Sequence, residues 1–128
     1  MPELSSEFGI HERTTGLYTA TIVGDDHVTP IPLVSLVSIT LTLYAIIANG
    51  THTIINGRNH QNILNLNNVT IHATSGLLIW AIQVLDTALV EATLPFERHL
   101  ALFEWTTASG AVGKHEIVLV VRNLGQVP

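Results

Sequence analysis

Seven histidines are the first residues to weigh for chemistry: His11, His27, His52, His60, His72, His99 and His115. Neutral imidazole is the commonest protein ligand for transition metals. Paired ligands on one element stand at i, i+2 on a strand or i, i+4 on a helix, and no two of these histidines do. His115-Glu116 lacks the histidine three residues on that a zinc protease helix carries, and it opens a strand-like run. A metal centre would have to be gathered from separate strands. Gly110-Ala111-Val112-Gly113-Lys114-His115 resembles a phosphate loop but is too short and lacks the Ser or Thr after lysine. It reads as a hairpin turn. There is no cysteine and no Gly-x-Ser-x-Gly elbow, so the usual activated nucleophiles are missing. Asp25-Asp26 is turn composition, and Glu97 and Glu104 do not form a recognisable acid–base pair in sequence. Asn49-Gly50-Thr51 and Asn68-Val69-Thr70 match the glycosylation pattern without a secretion signal and read as chance. The expectation is a protein that is not an enzyme and takes no cofactor.

Composition narrows the class. With 128 residues the chain makes one domain with one proper core. Without cysteine it has no disulfide framework and suits a reducing cytoplasm. Met1 to Arg13 carries Glu3, Glu7 and Glu12, lacks an apolar h-region, and is not expected to be a signal peptide. Leu33 to Ala48 is broken by Ser35, Ser38, Thr40 and Thr42 and falls short of the roughly 20 apolar residues of a membrane helix. A net charge of −5, with only five scattered Lys and Arg residues, has the wrong sign for nucleic acid. Charged residues make up 12% of the chain, against a typical ~25%. A free monomer keeps itself soluble with mixed charge. A subunit covered by neighbours does not need it, so the low charge points to assembly.

The elements that must position any site are strands. Period-two alternation dominates: Val37, Ile39, Leu41 and Leu43 fall on one side, and Ser38, Thr40, Thr42 and Tyr44 on the other. An earlier strand spans Thr14 to Val23 and ends at Gly24-Asp25-Asp26, after which Pro30 and Pro32 impose an extended link. Asn49-Gly50 is a hairpin signal returning through His52 to Ile55 to a second turn at Asn56-Gly57. Asn59, Asn62, Asn65, Asn67 and Asn68 mark a structured loop, with room for a helical turn, since asparagine bonds its own backbone and tolerates left-handed geometry. Further strands are expected over Val69 to His72, Leu77 to Leu85, His99 to Thr107 and His115 to Arg122. Asp86 is placed to cap a short helix carrying Leu89 and Ala92 and stopped by Pro95. About seven short strands with regular turns predict a single β-sandwich over residues 14–128, preceded by a flexible arm, residues 1–13.

Two strands are apolar on both sides. Leu77, Ile79 and Ala81 oppose Leu78, Trp80, Ile82 and Val84, and Ile117, Leu119 and Val121 oppose Val118 and Val120. A free sandwich alternates apolar with polar, so a neighbouring subunit is the simplest cover for the second face. Glu104, between Phe103 and Trp105, needs a partner or solvent, and Arg58 is a candidate partner.

The order of segments carries a resemblance. Val37 to Tyr44 is followed by Thr53-Ile54-Ile55-Asn56-Gly57-Arg58-Asn59, Asn67-Asn68-Val69-Thr70, Ser75-Gly76-Leu77-Leu78-Ile79-Trp80, Asp86, and His99-Leu100-Ala101-Leu102-Phe103-Glu104-Trp105. It resembles small virion proteins of tailed phages and, more loosely, the immunoglobulin-like N-terminal domain of phage baseplate upper proteins, over about Glu12 to Val127. The resemblance implies an immunoglobulin-like sandwich without catalysis that works in many copies. No domain is expected downstream of the sandwich, where baseplate proteins carry one, and that expectation favours a head decoration (cement) protein or a neck or tail ring.

The function expected is therefore that of a capsid decoration protein, assembled in the host cytoplasm and located in the virion. Its partners are the major capsid protein or other virion subunits, in a homo-oligomeric or symmetric arrangement, with neither nucleic acid nor membrane. Glu3, Leu4, Glu7, Phe8 and Ile10 of the arm, and Arg58, Asn59, Asn62, Trp80 and Glu104 of the sandwich, are the expected contact residues. Deleting residues 1–13 should leave a folded sandwich that no longer joins particles. The alternatives are a neck, tail or baseplate component, or a carbohydrate- or surface-binding module using the Asn-rich loop and an exposed aromatic ring.

Overall fold

A computed structural model describes residues 6–24, 28–46, 52–90 and 95–123, with backbone alone for 6–8. It is all-β, and its strands form two sheets. The larger has the order β1(Ser6–His11)-β9(Val112–Arg122)-β8(Phe96–Thr107)-β3(Leu36–Ile46)-β4(His52–Ile54), with the short β5(Gln61–Asn62) on the same edge of β3 as β4. The smaller has the order β2(Gly16–Thr21)-β7(Leu77–Ile82)-β6(Val69–Ile71). Every pairing is antiparallel except that of β1 with β9, which is parallel.

Alternation explains which side chains close the space between the sheets. Ile39, Leu41, Leu43 and Ala45 of β3 point inward, as do Ala101, Phe103 and Trp105 of β8 and Ile117, Leu119 and Val121 of β9. The smaller sheet answers with Leu78, Trp80 and Ile82 of β7 and Val69 and Ile71 of β6. Trp80 and Phe103 meet edge-on across the gap, centroids 5.8 Å apart, an arrangement the ring quadrupoles favour. Gly113 stands opposite Trp105 in the β8–β9 ladder, and a Cβ there would fall 2.4 Å from the indole. Glycine at that register lets the ring lie flat over its neighbour strand.

Several expectations change. Val37 does not share the face of Ile39: the β3–β8 register shifts between Leu36 and Ser38, so Leu36 turns inward and Val37 is 61% exposed. A bulge inserts one residue and reverses the alternation beyond it. β7 stops at Ile82, because Val84–Thr87 winds into a 3-10 turn. Asp86 does not cap a helix from outside; it is the third residue of that turn, and its carboxylate accepts from the Gln83 backbone N–H at 2.8 Å. The Asn-rich loop has no helix among the described residues. Asn56, Asn65, Asn67, Asn68 and His60 take positive φ, and Asn65 accepts the Ile71 N–H at 2.6 Å, which joins the loop to β6. Asp25, Asp26, His27, Asn49, Gly50 and Ala92 lie outside the described residues.

The largest correction concerns the expected arm. Residues 6–11 are an edge strand in continuous parallel register with Ile117–Arg122, extended by Glu12 donating its N–H to the Arg122 carbonyl at 2.9 Å. Arg13 and Thr14 donate to Thr87, which joins the segment to the other side of the molecule. Deleting residues 1–13 therefore strips one edge of the larger sheet and uncovers the β9 backbone. Its expected result is a lower thermal unfolding midpoint, read by circular dichroism. An unchanged midpoint would show that β1 adds nothing to the fold.

Candidate interaction surface

The outer face of the larger sheet is the candidate. Its register sets side chains in rows across the strands. Val118, Leu100, Tyr44 and Ile54 form one continuous row over four strands. Leu100 is only 8% exposed although it lies outside the core cluster, because its neighbours on this outer face cover it. Ile54 is 41% exposed, and Val118 and Tyr44 are half-buried. On one side of this row stand Val120, Arg98, Ile46 and His52, then Arg122 and Phe96. On the other stand Glu116, Leu102 and Thr42, then Lys114, Glu104 and Thr40. One end of the face is thus rich in guanidinium and imidazole, the other in carboxylate, with an apolar band between.

Ring contacts order the band. Tyr44 and His52 lie 4.4 Å apart, and the Arg98 guanidinium sits 5.4 Å over the Phe96 ring. Glu104 is flanked by Lys114 Nζ at 3.6 Å and His60 Nδ1 at 3.4 Å, not by Arg58. The outer face of the smaller sheet is different. There Leu77 and Ile79 stand beside Thr21, Thr19 and Thr70, while Ala81 stands beside the exposed Leu17, so apolar and threonine positions mix without a continuous apolar row.

The other expected contact residues divide. Asn59 and Asn62 are exposed on the loop, and Ile10 is half-buried against the core. Glu7 and Phe8 are placed by backbone alone, opposite Val118 and Leu119; Glu3 and Leu4 lie outside the described residues. Arg58 and Trp80 are interior and offer no surface. Arg58 donates through Nε to Asp86 Oδ1 at 2.6 Å and through Nη2 to Oδ2 at 3.1 Å. Its remaining donors reach Gln61 Oε1, the Asn67 carbonyl and Asn68 Oδ1 at 2.8, 3.1 and 3.0 Å. A guanidinium buried this far requires a carboxylate and nearly full hydrogen bonding, and Glu104 on the other face could supply neither.

Two polar clusters escaped the sequence reading. Glu97 and His99 point inward from β8, with Nε2 2.5 Å from Oε2 and Nδ1 3.0 Å from the Asp86 carbonyl. A carbonyl can only accept, so Nδ1 donates, and one further hydrogen lies between Nε2 and the carboxylate. Glu-x-His spacing on a strand is the signal that would have found this pair. His99 is fully buried, so the pair has no access to a substrate. Its geometry instead ties β8 to the Asp86 turn. Tyr18 and His115 meet at 2.6 Å and stack, and His115 also lines a groove of about 1150 Å³ between the end of β2 and the β8–β9 hairpin. The groove is lined by Phe103, Trp105, Thr107, Lys114 and His115 among others, with no carboxylate among its described lining. No three His, Asp or Glu side chains converge in metal-binding geometry among the described residues.

Burial pushes the Tyr18 phenol above its ordinary value of 10.0, and burial followed by the nearby Glu116 charge does the same at Tyr44. These are the chain's two tyrosines. A folded-state value above the unfolded one stabilises below pH 10.0 and loses that contribution as pH rises through the folded value. The tyrosinate absorbance of the folded protein at pH 10.0 should accordingly be smaller than that of the denatured protein at the same pH. A folded titration superimposable on the denatured one would refute this.

The chain matches no protein-family model, and no curated protein matches its sequence.

Proposed function

We propose that the chain is a structural subunit of a phage particle, a capsid decoration protein that works by burying surface against its neighbours. The observation that carries this reading is the Val118–Leu100–Tyr44–Ile54 row, an apolar band on the outward side of a sheet whose inward side already builds the core. Such a band is costly to leave in water and is stabilised when another polypeptide covers it. The low charge content agrees with a subunit whose surface is shared. The fold is read as an immunoglobulin-like sandwich, supported by two sheets over one core and by a first strand running parallel to the last. A carbohydrate-binding module is less favoured, because Trp80 and Trp105 are both buried and neither presents a flat ring.

The test is biochemical. Particles purified from the organism that encodes the chain are probed for it, and particles lacking it are challenged with heat and osmotic shock. The expected result is a fixed copy ratio to the major capsid protein and a lower disruption temperature without the chain, restored by adding purified protein. Particles free of the chain, or equally robust without it, would overturn the reading.

A further inference from the structure

We infer that the outer face of the larger sheet pairs with the same face of a second copy, across a two-fold axis running over the strands along the Val118–Leu100–Tyr44–Ile54 row. The inference rests on the assembly reading above for the claim that this face is covered, and it goes further by naming the occupant.

Charge order along the strands singles out the occupant. Along the strands the face runs from Lys114, Glu104 and Glu116, through the apolar row, to Arg98 and Arg122 with His52 beside them. The described charges sum to one net negative at the first end and two positive at the second, counting histidine as neutral. A two-fold axis through the middle row reverses the strand direction of the second copy. Each acidic end then lies over a basic end, and apolar row meets apolar row. An isologous contact needs this self-complementarity, in which what residue i does to residue j is repeated as j to i. A foreign partner would need a matching dipolar face, whereas the second copy brings one by construction. In this arrangement Glu116 of one copy comes over Val120 of the other, next to Arg98, and Glu104 comes over Phe96 beside Arg122, while Lys114 comes over Arg122, a like-charge contact that the two carboxylates outnumber and that weakens the pairing.

Size sets the strength. Three strands about 4.8 Å apart, each contributing roughly nine residues at about 3.3 Å, together with the 3 residues of β4, present on the order of 500 Å² of flat sheet. That is slightly below the roughly 600–1,000 Å² per partner of stable complexes. The dimer is accordingly weak, concentration-dependent in solution and reinforced by multiplicity in a particle.

Sedimentation of the purified full-length chain over a wide concentration range tests this, with thermal unfolding of each variant as a check on folding. The wild type should pass reversibly from monomer to dimer. Arg98→Glu and, separately, Ile54→Glu should raise the dissociation constant by about tenfold or more. Arg98→Glu combined with Glu116→Arg should return it close to wild type, because the swapped charges face each other again across the axis. Leu17→Glu, on the outer face of the smaller sheet, should leave it unchanged. A wild type that stays monomeric at every concentration overturns the inference, as does a dimer indifferent to Arg98→Glu and Ile54→Glu, or a double variant that fails to recover. A monomer whose Ile54→Glu form no longer enters particles would mean that a different subunit covers the face. The second copy would then be excluded while the virion role stands.

Discussion

Asp86→Ala is expected to destabilise the protein by about 3–5 kcal/mol, the usual cost of removing one member of a buried ion pair. Arg58 is 1% exposed and Asp86 fully buried, so the guanidinium left behind would keep its charge without a counter-ion. Gln61, Asn67 and Asn68 would still accept its hydrogen bonds but could not balance the charge. Two further bonds go with the carboxylate, from Asn56 Nδ2 at 2.9 Å and from the Gln83 backbone at 2.8 Å. The penalty therefore spreads over the hairpin turn, the Asn-rich loop and the end of β7 together. Arg58→Met with Asp86→Leu should lose much less than the sum of the single losses, since no charge is then stranded. Urea unfolding of the wild type, both single variants and the double variant measures the coupling. An Asp86→Ala protein within about 1 kcal/mol of wild type would contradict this account of the pair.

Gly76→Ala should be the most damaging of the glycine substitutions in turns, and the comparison with Gly57→Ala isolates the reason. Both residues have positive φ, +66° at Gly57 and +70° at Gly76, so alanine meets the same left-handed penalty of about 1–2 kcal/mol. At Gly57 the added methyl would enter open space. At Gly76 it would lie 2.5 Å from the Ile31 carbonyl oxygen and 3.1 Å from that of Ile22. These are backbone atoms in a ladder, where Ile31 donates to the Ile22 carbonyl at 2.7 Å and Ile22 to that of Gly76 at 2.9 Å. The clash can be relieved only by moving the link that carries Pro30 and Pro32 away from β2. Gly57→Ala should thus lose about 1–2 kcal/mol, and Gly76→Ala clearly more, with a fall in the thermal midpoint to match. Equal losses at the two sites would show that the link is free to move.

How much of this was legible depends on the range over which each feature is decided. The alternation of Val37 to Tyr44 announced β3, yet one inserted residue at the bulge sent Val37 to the surface, and no composition signal marks a bulge. Asn56-Gly57 and the later asparagines announced left-handed turns, and the backbone adopts positive φ at several of them. The charged residues misled. Glu104, set between Phe103 and Trp105, looked in need of a partner, and Arg58 on a nearby turn was the candidate. Asp86, in fact the partner, lay 28 residues from Arg58 in what read as a helix cap. The polar look of residues 1–13 hid a strand, since an edge strand with one neighbour keeps half of its backbone and many of its side chains in water. For the interaction surface, the sequence reading found β strands apolar on both sides but not which of their faces lie side by side.

By itself, then, the chain determined an all-β protein, the approximate positions of most strands and the chirality of its turns. Each of these follows from side-chain alternation and backbone sterics acting over a few residues. Tertiary structure alone decided that β1 runs parallel to β9, that Tyr18 meets His115 across 97 residues, and that Arg58 closes on Asp86. It also decided that Val118, Leu100, Tyr44 and Ile54 form one row between a basic and an acidic end. Such pairings are chosen by the closing of the whole chain around a shared core. The free energy that selects them belongs to sets of distant residues and leaves no local pattern to read.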